Sequence, residues 1–443
     1  MLPVNQYMRT RIWALAWPVV LEMSGQMLAG TLVTAMVGHL GAISLAAVSL
    51  AIMVQMAATM AFAAAGTGAA AIISREAGAG NYQAVRSISG QAVMLAGALG
   101  TILAALGYVS SSVIFSVLDA DAAVAELSSS LLRMMFLFTP LYLIMAVSNY
   151  ILRAVGRTID SFWVSVLNNG TNIVVSYLLI YGIGLPRLDA LGAAWGTVLG
   201  QTLGGTLAVI MLIRSPLIGL RFSDVFAYRR NEVERVLRVS IPAALEQAAM
   251  QGGRIAFTFL LVGVGTVQFA AHQIAMQVES ISFLPGFGFS VAAMTLVGFS
   301  LGQGVSHRAA RYVRLTRSIG FWLMSVMGAV FFFFAEELTA LFIKDPEVLY
   351  WGSLCVKIAA VEQPTIALNY VMGGALRGAG DTKWPMYVTT IGIWLVRLPL
   401  IYLFITVWKH PITTAWWITA ADFLFRSGIL WWRFETGKWN KSI

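Results

Sequence analysis

The sequence predicts an all-α integral membrane protein, with twelve transmembrane helices in two pseudo-symmetric six-helix bundles. Three observations carry this prediction. Of the 443 residues, 58% are hydrophobic and 11% charged, whereas a soluble domain carries about 25% charged residues. The apolar residues gather into twelve runs, each near the roughly 20 residues that cross a bilayer. The chain also repeats itself at one constant shift, the shift that carries Glu22 onto Glu246.

The first six runs lie near 12–36, 44–72, 88–109, 127–149, 159–181 and 191–213. The second six lie near 238–261, 268–297, 315–334, 350–374, 385–407 and 412–432. Pro18, Pro140, Pro242 and Pro364 fall inside runs, where each frees a backbone carbonyl and favours a kink. The segment FLPGFGFS, Phe283 to Ser290, predicts a stronger break; irregular backbone at membrane depth is tolerated where protein or a wet cavity covers it. AGTGAA in the second run is no phosphate loop, because it follows an apolar helix and no GK[ST] is present. Its small residues let helices approach closely. Trp416, Trp417, Trp431 and Trp432 in the last run suit interfacial anchoring. These runs divide the chain into an N-terminal bundle over 1–213, a basic linker over 214–237 and a C-terminal bundle over 238–443.

The repeat is clearest in GALRGAGDTKWPM, Gly374 to Met386, a short polar hinge between apolar runs. Gly378 and Gly380 free the backbone there, and Pro385 suits the first turn of a new helix. At the common shift Arg153 falls on Arg377, Gly156 on Gly380 and Thr158 on Thr382. The same register matches Pro18, Leu21 and Glu22 with Pro242, Leu245 and Glu246, Gly41 with Gly265, Gly80 with Gly304 and Pro140 with Pro364. Matched Pro, Gly, Arg and Glu in one register indicate an internal duplication.

Lys and Arg set the orientation. Loops on one side hold 21 basic residues, while the other side holds only Arg187, Lys344 and Lys409, with Asp119, Asp121, Glu126, Glu336, Glu337, Asp345 and Glu347. Both termini are therefore expected in the cytoplasm, and the protein in the cytoplasmic membrane. An even number of spans per half makes the repeat parallel, with the natural site in the cleft between halves. The formal charge of +9 does not indicate nucleic acid, because the basic residues sit in short loops between apolar runs. The single cysteine, Cys355, excludes a disulfide framework and a cysteine metal site. The first run is too long for a cleaved leader and lacks a small-residue cleavage site. His39, His272, His307 and His410 show no ligand spacing and no nucleophile elbow is present, so neither metal, cofactor nor enzymatic chemistry is expected.

Ionised groups inside spans cost at least about 2.5–3.5 kcal/mol on insertion scales and need partners, water or a role. The acids there are Glu22, Glu246, Glu279, Glu362 and Asp422, with Arg254 and Arg397 as bases and Asp381 at the hinge. Desolvation favours a neutral carboxyl, which can hold a proton or a cation but not both. Glu246, Glu279, Asp381 and Glu22 are the candidate ion-coupling groups. Arg254 with Glu279, and Arg397 with Asp422, are the candidate ion pairs, and Arg426 lies one turn beyond Asp422. Glu362, two residues before Pro364 and near Lys357, is assigned to neither set. Gln55, Asn172, Met250, Arg254 and Gln273 are the candidate cleft residues.

The stretches LRGAGDTKWPM at 376–386, FAAHQIAMQVESISFLPGFGFSVAAMTLVGFSLGQG at 269–304 and LAAVSLA at 45–51 give the chain its resemblance to the multidrug and toxic compound extrusion family. The resemblance implies two six-helix bundles and proton- or sodium-driven export of amphipathic, often cationic compounds. It implies no cofactor beyond the coupling ion, and the expected working form is a monomer in the bilayer. Some members carry an aspartate near the outer end of the first helix, where this chain has Val33, and another on the fifth, where it keeps Asn172 but has Ser176. A seventh-helix glutamate of another branch falls on Met250, one turn after Glu246, and Asp381 matches an acid of the second bundle. A flippase for a lipid-linked anionic precursor is the alternative; it needs Arg254 and Arg397 unpaired.

Overall fold

The computed structural model describes residues 4–117, 121–184 and 186–441, and no β-strand occurs among them. Asp119 lies outside the described residues. The first half contains α1 (Val4–Gly38), α2 (Ala42–Ala63), α3 (Ala65–Gly78), α4 (Tyr82–Val117), α5 (Ala122–Leu137), α6 (Thr139–Ala154), α7 (Thr158–Tyr181) and α8 (Ala190–Arg214). After the short α9 (Phe222–Phe226) come α10 (Arg230–Val262), α11 (Thr266–Ser280), α12 (Phe283–Gly302), α13 (Ser306–Phe333), α14 (Ala335–Ala340) and α15 (Pro346–Gly378). The last two rods are α16 (Lys383–Thr390), continued through α17 (Leu398–Ile401) to Val407, and α18 (Ile412–Glu435).

Each of the twelve predicted runs coincides with one helix or one interrupted pair. Eight helices are long and apolar enough to cross a membrane by themselves, and the bent pair α5–α6 makes a ninth. Helices α10, α15 and α18 fall short of that apolarity. They carry Glu246 and Arg254, Lys357 and Glu362, and Asp422 and Arg426, respectively.

The duplication is visible in the backbone. Gly41 and Gly265 have φ of 108° and 106°, Gly80 and Gly304 both 74°, and Gly156 and Gly380 82° and 83°. Only glycine adopts these values cheaply, so each matched loop requires it. Asp121 and Asp345, matched at the same shift, both cap a helix, accepting from Ala123 N and from Glu347 and Val348 N. The chain forms two compact units, Met1–Val20 with Leu245–Ile443, and Leu21–Ala244. Their boundaries fall inside α1 and α10, at matched positions of the repeat.

The predicted interruptions fall close to their expected places. Pro18, Pro242 and Pro364 lie inside α1, α10 and α15. Pro140 instead occupies the first turn of α6, just after a 54° bend between α5 and α6. The break expected within FLPGFGFS lies at Ile281–Ser282, so that Pro285 sits in the first turn of α12. A ring at the helix start needs no N–H partner, which is why the chain breaks just before each of these two prolines. Ile391–Arg397 and Tyr402–Val407 form π-helical turns that the apolar pattern did not reveal.

Close helix approaches rest on glycine. A Cβ at Gly378 would run into Met294 O, and one at Gly374 into Ser290 O, so α12 and α15 touch backbone to backbone. Around that contact pack Ile12, Ala16, Phe289, Ala293, Val371 and Leu376 in one apolar core. Gly428 in α18 has nothing within 4 Å of its absent Cβ. Gly378→Ala should therefore cost about 1–3 kcal/mol through overpacking. Gly428→Ala should be neutral or stabilise by up to about 1 kcal/mol. Thermal melting of the purified variants checks both expectations.

Candidate functional site: an acid and arginine cluster in the second half

Two mirrored clamps hold two of the four candidate coupling acids. Arg153 Nη2 donates to Glu22 Oε1 at 2.6 Å, Ser165 Oγ to the same oxygen at 2.6 Å, and Ser161 Oγ to Oε2 at 2.9 Å. In the other unit Arg377 Nη1 donates to both oxygens of Glu246 at 2.9 Å, and Thr389 Oγ1 to Oε1 at 3.2 Å. Residues 22, 153 and 165 map onto 246, 377 and 389 at the common shift. Each glutamate is thus a buried carboxylate with a full guanidinium partner, tying the first helix of its half to the polar hinge. Arg153 and Arg377 are matched in the repeat, but their pairing with these acids is not evident from the sequence. Asp381 is also paired, accepting from Arg433 Nη2 at 2.8 Å and Nε at 3.0 Å.

Glu279 is different. It lies near the C-terminal end of α11, 3% exposed, beside Glu362 of α15, which is 1% exposed. The two carboxyl groups are within hydrogen-bonding reach of each other. As carboxylates neither can donate, and Glu279 Oε1 and both oxygens of Glu362 are left without a donor. One proton placed between them converts the repulsion into a hydrogen bond. Arg254, the expected partner of Glu279, is exposed and forms no ion pair among the described residues.

The expected pair of Arg397 and Asp422 is present, and Arg426 joins it. Arg397 Nε donates to Asp422 Oδ2 at 2.8 Å, with Nη2 2.6 Å from the same oxygen, and Arg426 Nη2 lies 2.9 Å from it. The π-turn delivers this geometry, since Arg397 is its last residue and Gly392 lets Asp422 close in; a Cβ there would sit 2.6 Å from Oδ1. Phe423 holds both guanidiniums over its ring, at 5.2 and 4.5 Å. Both arginines also act electrostatically on Glu362. The group therefore contains Glu279, Glu362 and Asp422 against Arg397 and Arg426, and a single proton makes it neutral.

The repeat gives this cluster its meaning. Carried back into the first half at the common shift, Glu279, Glu362, Arg397, Asp422 and Arg426 become Gln55, Phe138, Ile173, Val198 and Thr202. The backbone is duplicated and the charge is not. Gln55 donates through Nε2 to Met135 O at 3.4 Å, so an amide satisfied by a carbonyl stands where the second half has an unsatisfied acid. Ser176 donates to Asn172 Oδ1 at 3.1 Å. Val33 lines a cavity of about 10 Å³ with Val48, Leu131 and Met135, which offers neither charge nor room. Met250, Arg254 and Gln273 keep exposed surface on α10 and α11, whereas Gln55 is buried. His272 packs among the rings of Phe257, Phe269 and Trp416.

Comparison with known proteins agrees with this architecture. The MatE family model matches residues 18–178 and 242–403, one copy in each half. The probable multidrug resistance protein NorM of Thermotoga maritima is 32% identical over 98% of this chain and 93% of its own length. The multidrug resistance protein MdtK of Yersinia pestis is 27% identical over 88% and 86%. Among solved structures, a MOP superfamily transporter from Pyrococcus furiosus superposes with a TM-score of 0.90 at 21% identity, covering 98% of this chain and 97% of that one. An outward-facing multidrug resistance transporter of the same superfamily gives 0.89 at 21% identity, over 97% and 96%.

The clamps make a stability prediction. Removing one member of a buried ion pair strands the other, at a cost of about 3–5 kcal/mol, whereas replacing both is far cheaper. Arg377→Met should therefore lower the melting temperature more than Arg377→Met combined with Glu246→Leu. Thermal melting of both variants in detergent checks the order.

Proposed function

The chain belongs to the multidrug and toxic compound extrusion (MatE) family, whose members are transporters rather than enzymes, and from that premise we propose a secondary active antiporter. It exports amphipathic, cationic compounds by alternating access and takes in a proton carried by Glu279 and Glu362. The observation that carries this reading is the pair of buried acids, three of whose four oxygens lack donors, in a cluster one proton short of neutrality. Protonation of the pair alters the interior charge of its unit. A state that tolerates the negative charge and one that does not then have different proton affinities, which is the requirement for coupling. A cationic substrate favours the deprotonated form, so proton and substrate compete.

A proton suits the cluster better than sodium. The guanidiniums of Arg397 and Arg426 act on the same carboxyl groups and repel a metal cation. Glu22, Glu246 and Asp381 serve as ion-paired ties in this scheme, with Glu279 as the carrier. Met250, Arg254 and Gln273, which keep exposed surface, are the proposed substrate contacts of their unit, and Gln55 and Asn172 are the candidates of the other. The distribution of arginine and lysine supports a cytoplasmic membrane location with both termini inside. We take the monomer as the working form. The flippase alternative loses its footing at Arg397, which is bonded to Asp422.

Proteoliposomes with separately imposed proton and sodium gradients test this function. A proton gradient alone should drive drug accumulation, and a sodium gradient alone should not. Glu279→Gln should reduce proton-driven accumulation to the level of empty liposomes while the purified protein still binds drug. Drug-dependent proton flux that survives Glu279→Gln and Glu362→Gln together contradicts the assignment.

A further inference from the structure

Lys357 is a cation in a membrane-spanning helix with no acid to meet. It lies on α15 five residues before Glu362, roughly 140° around the helix. Glu362 is buried and Lys357 exposed. Among the described residues Lys357 forms no ion pair, although Glu336, Glu337, Asp345 and Glu347 all lie in the adjoining part of the chain. Such a charge is costly unless something neutralises or hydrates it.

Its surroundings specify the neutralising group. Lys357 lines a cavity of about 350 Å³ within its unit, together with Phe332, Leu354, Val361, Thr413 and Trp417. The ammonium, the Thr413 hydroxyl and the Trp417 indole N–H can all donate, and none has a hydrogen-bond partner among the described residues. The lining holds no carboxylate and no side-chain amide. The remaining walls are apolar, and Phe332, Val361 and Trp417 expose much of their surface. Phe332 is the penultimate residue of α13, while Thr413 and Trp417 are the second and sixth of α18. At 1.5 Å per residue Phe332, Thr413 and Trp417 lie within about 8 Å of the ends of α13 and α18, a depth at which tryptophan marks the boundary between headgroups and chains, and Lys357, about 17 Å along α15 from its start, meets them across the cavity.

We propose that this groove binds an acidic phospholipid. The phosphodiester would meet Lys357, Thr413 and Trp417, and an acyl chain would run over Leu354 and Val361. The site is separate from the acid cluster, and its test does not depend on transport.

The test uses the purified full chain in neutral detergent. Dioleoyl phosphatidylglycerol, dioleoyl phosphatidylcholine and inorganic phosphate are titrated separately, with retained lipid counted by native mass spectrometry and stability followed by thermal melting. Phosphatidylglycerol should be retained and should raise the melting temperature, while the other two should do neither. Lys357→Gln should weaken phosphatidylglycerol binding about tenfold, as expected for one charge-assisted contact. Lys357→Arg should preserve binding, Thr413→Val should weaken it, and Lys344→Gln, outside the groove, should leave it unchanged. Equal retention of phosphatidylcholine would overturn the proposal, since an apolar groove alone would then suffice. Displacement by phosphate would overturn the lipid assignment, and unchanged binding by Lys357→Gln would overturn the site. If Lys357→Gln fails to melt cooperatively, Lys357→Arg and Thr413→Val decide.

Discussion

An ionised side chain inside a membrane-spanning bundle must find an opposite charge or a proton, and the interior of this protein follows from that constraint. It is met in three ways. Glu22 and Glu246 each take a whole guanidinium, from Arg153 and Arg377. Asp422 concentrates two guanidiniums on one oxygen, a geometry that needs both the π-turn at Ile391–Arg397 and the missing Cβ of Gly392. Glu279 and Glu362 are left facing each other with too few donors. The first arrangement gives every glutamate oxygen a donor, and the second leaves Asp422 Oδ1 without one but sets two guanidiniums against one carboxylate. The third lacks a donor that a proton would supply, and it is there that we propose a proton gradient does work on the structure.

The duplication separates what the fold requires from what the function requires. Matched glycines share the same positive φ, matched aspartates cap the same helix starts, and matched glutamates accept from matched arginines. Those features recur because two copies of one bundle need the same turns and the same ties. The acid cluster does not recur, and its counterparts are an amide, a hydroxyl and three apolar side chains. The duplicated backbone therefore does not require the cluster, which is why we look to it for function. The chain belongs to a family of transporters, in which an interior group able to gain and lose a proton would have an evident use; that is the role proposed for Glu279 and Glu362.

Most of the fold was legible in the sequence, because a bilayer imposes length and apolarity on every spanning element. The twelve runs, the hinge at Gly380 and its twin at Gly156 needed no coordinates. The breaks were legible only to within a few residues, since a proline announces a helix start as readily as a kink; Pro140 and Pro285 both turned out to be starts. The π-turns left no mark on hydropathy, because they change the hydrogen-bond spacing without changing composition. For the site, the pair of Arg397 and Asp422 followed from their positions on neighbouring helices. The partner of Glu279 did not, because Arg254 and Glu362 lie on different helices and only side-chain direction tells them apart. The repeat held a usable signal, however: the replacement of Gln55 by Glu279 at the same register marks where the halves diverge.

Everything proposed for transport turns on one exchangeable proton, shared by Glu279 and Glu362 and displaced by a cationic substrate. The most direct measurement is proton release on substrate binding to purified protein in weakly buffered detergent, followed with a pH dye. The account predicts release from the native protein on binding and none from the variant with both glutamates changed to glutamine, with substrate still bound. Binding of substrate to the native protein with no proton released, across the pH range in which transport operates, would contradict it.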